Sequence, residues 1–170
     1  MPALPINESV LGNHVFGTGD KNKKSLSGFH STARLGKCSL KPVIHRKLDL
    51  GGSEFYLAGW NYYDGKDTPL KWSTMFPNGW GDKKVLEAIR AAVEYWNLNA
   101  DRKDGTRLNG IAKKRGLKWV GNAKVDGYVY VLGGLTKSGE VVTGFPLAGA
   151  NANIPAWAGH VNLDDVDEND

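Results

Sequence analysis

Between Asp82 and Asn99, the apolar residues Val85, Leu86, Ile89, Ala92, Val93 and Trp96 recur at helical spacing and form one stripe. This is the clearest element in the chain, and a stripe of that length has to be buried against something. Pro77-Asn78-Gly79 breaks the chain just before it, and Asp82 is placed to cap the first turn through its carboxylate. Lys83 and Lys84 stand at the positive end of the helix dipole, an arrangement that costs roughly a few tenths of a kcal/mol. The sequence around the helix reads as strands. Runs at 43–49, 54–62 and 70–76 precede it, separated by turn-forming residues at 51–53 and 63–67. Runs at 117–124, 127–132 and 140–145 follow it, with hairpin-like turns at Asp126-Gly127 and Ser138-Gly139. Residues 1–40 read as loops and short elements, and residues 100–115 are polar and basic. Strands, one long helix at about 82–99 and further strands predict an α+β fold on antiparallel sheets, with short helices besides. The expected organisation is a lead over 1–12, a single domain over 13–160 and an acidic tail over 161–170.

Charge narrows the partner. The 170 residues carry a formal net charge of +4, but five of the 18 acids lie in the last seven residues, DDVDEND. The preceding chain sets 22 basic against 13 acidic residues, a net +9. Such a body attracts polyanions by releasing their counterions, and nucleic acid is the commonest such partner. A single cysteine, Cys38, excludes an internal disulfide and a cysteine-based zinc cluster, and is expected to be a small buried side chain. No apolar run approaches the roughly 20 residues of a membrane helix. The opening MPALPINESV has neither the basic lead nor the apolar stretch of a signal peptide.

Of four histidines, His45 alternates with Val43 and Lys47 as a packing or surface residue of a strand, and His160 near the tail has no evident partner. His14 and His30 lie in glycine-flanked contexts, joined by a polar, basic loop that can fold back so that both imidazoles face one site. Two such imidazoles are the minimum for acid–base cleavage of RNA. One removes the 2′-OH proton and the other protonates the departing 5′-oxygen, because an ordinary pKa near 6.5 suits both tasks.

Asn13-His14-Val15-Phe16-Gly17 followed by Ser27-Gly28-Phe29-His30 resembles the "HVF-G … SGFH" pattern of the EndoU endoribonuclease family, with its 16-residue histidine separation. Lys71-Trp72-Ser73-Thr74-Met75-Phe76-Pro77, leading into the helix, resembles the lysine segment and helix entry of bacterial members. Val142-Thr143-Gly144-Phe145-Pro146 resembles the terminal strand motif, with Phe145 where members often carry tyrosine. The resemblance implies His14 as general acid, His30 as general base and Lys71 as the cation that offsets charge on the phosphate. Lys66 is the alternative lysine. It also implies substrate contacts from Thr143, Phe145, Ser73 and Thr74. A phenyl ring at Phe145 can stack on a base or ribose but cannot donate a hydrogen bond, so polar selection falls to Thr143 or to Ser73 and Thr74.

The expected activity is transesterification of RNA to a 2′,3′-cyclic phosphate and a 5′-hydroxyl, with no cofactor and no catalytic metal. By the same resemblance the chain is expected to be a bacterial toxin domain acting on transfer RNA or other cellular RNA. It would be delivered from a larger secreted toxin into the target-cell cytoplasm and be held by an immunity protein, often acidic. Two other classes fit parts of the pattern. A non-catalytic RNA-binding module would use the same basic groove and aromatics without cleaving. A metallohydrolase would ligate an ion through His14, His30, His45 and an acid, although these spacings match no recognised zinc motif.

Overall fold

The computed structural model describes residues 3–20, 25–38, 42–49, 54–62, 69–99 and 103–147. The expected α+β class is observed, with three α-helices and antiparallel sheets among the described residues. One sheet has the order β3-β4-β5, from Val43–Asp49, Tyr56–Asn61 and Lys71–Met75. The other has the order β10-β7-β6, from Phe145–Pro146, Tyr128–Gly134 and Trp119–Val125. Two short antiparallel pairs complete the strands among the described residues: β1 (Thr18–Asp20) with β2 (Ser25–Ser27), and β8 (Thr136–Lys137) with β9 (Glu140–Val141).

The long helix, α2, spans Asp82–Asn99 and buries Val85, Ala88, Ile89, Ala92, Val93 and Trp96. Leu86, expected in that stripe, is only partly buried and packs at its margin. The stripe lies across β6, close enough that a Cβ added at Gly121 would fall 1.8 Å from the Ala92 carbonyl oxygen. Only glycine lets helix and strand backbones approach this closely. The cap differs in detail from the sequence expectation. The Gly81 carbonyl accepts from Val85 N at 3.1 Å, so Gly81 holds the cap position. Asp82 is the first helical residue, its carboxylate taking the Lys83 N–H at 2.8 Å and Arg34 Nε at 3.0 Å.

Two regions read as loop or merely polar are helical. Glu8–Phe16 forms α1, and Lys103–Arg115 forms α3. Helix α1 carries no strong stripe, and its ends define it instead. The Asn7 side chain accepts from Val10 N at 3.2 Å, and Gly17 N closes on the Asn13 carbonyl at 2.9 Å. An Arg90–Glu8 pair, with nitrogen–oxygen distances of 2.7 and 3.0 Å, ties α1 to α2. In α3, Leu108 and Ala112 face the core, a spacing thin enough for the basic residues around it to mask. The final strand run, read as continuous over 140–145, is two short strands, β9 and β10. The turn residues at 51–53 and 63–67, and the tail from 148, lie outside the described residues.

The main core combines α2 with Leu11, Val15 and Phe16 of α1 and with Trp119, Val120, Ala123 and Leu132 of the second sheet. A smaller cluster of Phe29, Tyr56, Ala58, Trp60 and Met75 lies against the first sheet. Strand β10 packs on β5, so the two sheets meet there, beside the end of α1.

Candidate active site

The C-terminal turn of α1 leaves backbone carbonyls that the helix itself cannot satisfy. A single downstream segment takes two of them. Phe29 N donates to the His14 carbonyl at 3.2 Å, and His30 N to the Val15 carbonyl at 2.8 Å. The segment around His30 is thereby fastened to the helix end that carries His14. Gly28 makes the junction possible. Its φ is 77°, and a Cβ there would stand 1.5 Å from the His14 carbonyl oxygen. Phe29 also adopts a positive φ of 57°, a strain of roughly 1–3 kcal/mol that its full burial against Trp60, ring centroids 5.1 Å apart, holds in place. Strand β5 grips the segment from the other side: Ser73 Oγ donates to the Gly28 carbonyl at 2.8 Å, and Phe76 N to the His30 carbonyl at 2.8 Å.

The result is that His14 and His30 face each other with ring centroids 5.2 Å apart and planes 34° from parallel. Phe145, arriving on β10, stacks on His30 with centroids 4.9 Å apart and lies 6.3 Å from His14. His14, Lys71 and Thr143 are nearly buried, and His30, Ser73, Thr74 and Phe145 fully so.

Electrostatics follow from that burial. His14 is driven from its ordinary pKa of 6.5 down to about 3, first by desolvation and then by the Lys71 ammonium. His30 is pushed well below its ordinary value by desolvation, then by His14 and Lys71, with a hydrogen bond to the Thr74 carbonyl pulling the other way. In the unliganded protein, both rings are therefore neutral at neutral pH. The His30 tautomer is fixed as well. Its Nδ1 lies 2.7 Å from the Thr74 carbonyl oxygen, which can only accept, so Nδ1 carries the hydrogen and Nε2 the lone pair. An anion placed beside Lys71 would oppose the field that keeps the rings neutral, raising the pKa of whichever imidazole it meets.

All seven residues singled out in the sequence, His14, His30, Lys71, Ser73, Thr74, Thr143 and Phe145, lie on the three elements that converge here or on the loops beside them. Two hydroxyls are engaged by backbone: Ser73 Oγ as described, and Thr143 Oγ1 as the acceptor from Leu135 N at 2.6 Å. Sequence reasoning missed the Thr74 carbonyl, whose role is carried by main chain and leaves no side-chain signal. It also missed the stacking of Phe145 on His30 rather than on open space. His45 lies in β3 where the pairing with β4 shifts between Ile44 and Arg46. Lys66 and His160 fall outside the described residues. Among the described residues, no group of three or more His, Cys, Asp or Glu could hold a metal ion. Among them, too, no helix is long and apolar enough to cross a membrane.

The α+β scaffold thus brings two imidazoles, a lysine and a stacked aromatic into one buried cluster, a set of groups able to move protons beside a fixed cation. Residues 9–148 match the family model described as Bacterial EndoU nuclease, and the chain belongs to that family. No curated protein and no solved structure matches it.

Proposed function

We propose that the protein is an endoribonuclease that cleaves RNA by transesterification without a catalytic metal. His30 Nε2 takes the 2′-OH proton, and the resulting alkoxide attacks the adjacent phosphorus. The P–O5′ bond breaks as the His14 imidazolium gives its proton to the leaving 5′-oxygen. The products are a 2′,3′-cyclic phosphate and a 5′-hydroxyl. Lys71 stabilises the extra negative charge of the pentacoordinate phosphate, an effect worth several kcal/mol of barrier in a desolvated site. His14 starts neutral, so the scissile phosphate itself supplies the negative field under which His14 gains its proton. The location of His14 in the last turn of α1, at the negative end of the helix dipole, favours the same protonation.

The observation that carries this reading is the 5.2 Å approach of the His14 and His30 rings beside Lys71, with the His30 tautomer set for a base. Phe145, Thr143, Ser73 and Thr74 serve as the proposed walls of the substrate site. A labelled RNA incubated with the protein in EDTA is expected to yield cyclic-phosphate ends, and His30→Ala to lower the rate by about 10²–10⁴. Full activity in that variant would defeat the assignment.

The biological reading rests on the bacterial family and on the +9 body. It is a toxin domain, delivered from a larger secreted protein, that cuts transfer RNA or other RNA in the target-cell cytoplasm and is neutralised by an immunity protein, often acidic. The nuclease unit is taken as 13–160, with 1–12 as a lead and 161–170 as an acidic tail; residues 148–170 lie outside the described residues. Induced expression in bacteria should arrest growth, and equal growth with the wild type and with His30→Ala would rule out the toxin role.

A further inference from the structure

Helix α1 has a second face. Gly12, Asn13 and Phe16 on that face border an open hollow of about 430 Å³ that Arg34, Lys37 and Cys38 also line. Among the described residues, no aspartate or glutamate lines it. The Arg34 guanidinium is already held in place. Its central carbon sits 4.1 Å above the Phe16 ring, and its Nη1 lies beside Gly12, 3.5 Å from where a Cβ would be. Its Nε donates to Asp82 at 3.0 Å. That pair is about half exposed, so it contributes little net energy and can be shared with a second anion. A guanidinium fixed by stacking keeps its fork geometry for phosphate oxygens and loses little freedom on binding them. Lys37, on the 3-10 turn Leu35–Lys37, is exposed and adds a second cation. Asn13 precedes His14 in the chain, so the hollow and the histidine pair lie on adjoining faces of one helix turn.

We propose that this hollow is a phosphate subsite for RNA. In it, Arg34 and Lys37 hold a backbone phosphate at least one nucleotide away from the scissile one. The proposal rests on the reading of the His14/His30 cluster as the cleavage site, and it makes that site selective for substrates longer than a dinucleotide.

Two measurements test it. In the first, kcat/KM is compared for a dinucleotide, which has only the scissile phosphate, and a ten-nucleotide RNA. Lys37→Glu is expected to lower the value for the longer RNA by about tenfold and to leave the dinucleotide within about twofold. An equal loss on both substrates, or a loss on neither, overturns the subsite. In the second, the only cysteine of the chain serves as a reporter, because Cys38 lines the hollow and is half-buried. In the His30→Ala background, the longer RNA should slow alkylation of Cys38 by iodoacetamide, and the dinucleotide should not. Unchanged alkylation with the longer RNA overturns the proposal. Should the wild type cleave neither substrate, the nuclease reading falls, while Cys38 protection still decides whether RNA occupies the hollow.

Discussion

The two imidazoles are held neutral, and that has consequences in solution that do not depend on catalysis. Between pH 6.5 and about 3, the unfolded chain binds a proton at position 14 that the folded chain excludes, and His30, also held below its ordinary value by burial, acts in the same direction. Stability therefore falls as pH drops through that window, by about 1.4 kcal/mol per pH unit for His14, and is fully regained above the unfolded pKa. Urea titrations at pH 7.5 and pH 5 should show this slope, and His14→Gln should flatten it. Binding of a phosphate-bearing inhibitor near neutral pH should be accompanied by proton uptake, read by calorimetry in buffers of different ionisation enthalpy; uptake of none would mean that the acid is charged from the outset. Phe145 poses a separate question of role. If its ring chiefly orients His30, Phe145→Leu should lower kcat by about fivefold with KM nearly unchanged, as expected for losing a stacking interaction of about 1 kcal/mol. A rise in KM alone would instead assign the ring to the substrate.

At the scale of elements, the molecule is most sensitive where backbones meet. Gly28→Ala would drive a methyl group into the His14 carbonyl and force a strained φ, so it should lower both the melting temperature and the cleavage rate. By contrast, Glu8→Gln removes an exposed pair with Arg90 and should change stability by less than about 1 kcal/mol. What was legible in the sequence follows the same division. Helix α2 and strands β3 to β7 announce themselves through runs of side chains that one face must bury, and their boundaries fall close to the expected ones. Helix α1 was missed because its evidence lies in its ends, an Asn7 cap and a Gly17 stop, with Gly12 weakening the stretch between. Helix α3 was missed because Leu108 and Ala112 are a thin apolar signal among lysines and arginines. The histidine pair was legible through its motifs. The carbonyl that fixes the His30 tautomer was not, since any residue at position 74 brings one.

Across the whole molecule, the +9 body should make RNA association strongly dependent on salt. For single strands the logarithm of affinity falls by about 0.7 per neutralised phosphate for each unit of log salt, so a slope steeper than about −2 is expected in a filter-binding series. A flat response would show that the positive charge faces elsewhere. One further consequence comes from the way α1 ends. The hydrogen bonds that finish that helix are the same ones that set residues 14 and 30 opposite each other. A chain in which residues 28–30 have yet to dock has neither those helix-ending bonds nor the two rings opposed. On the proposed reading, cleavage therefore depends on this docking as much as on the two side chains themselves.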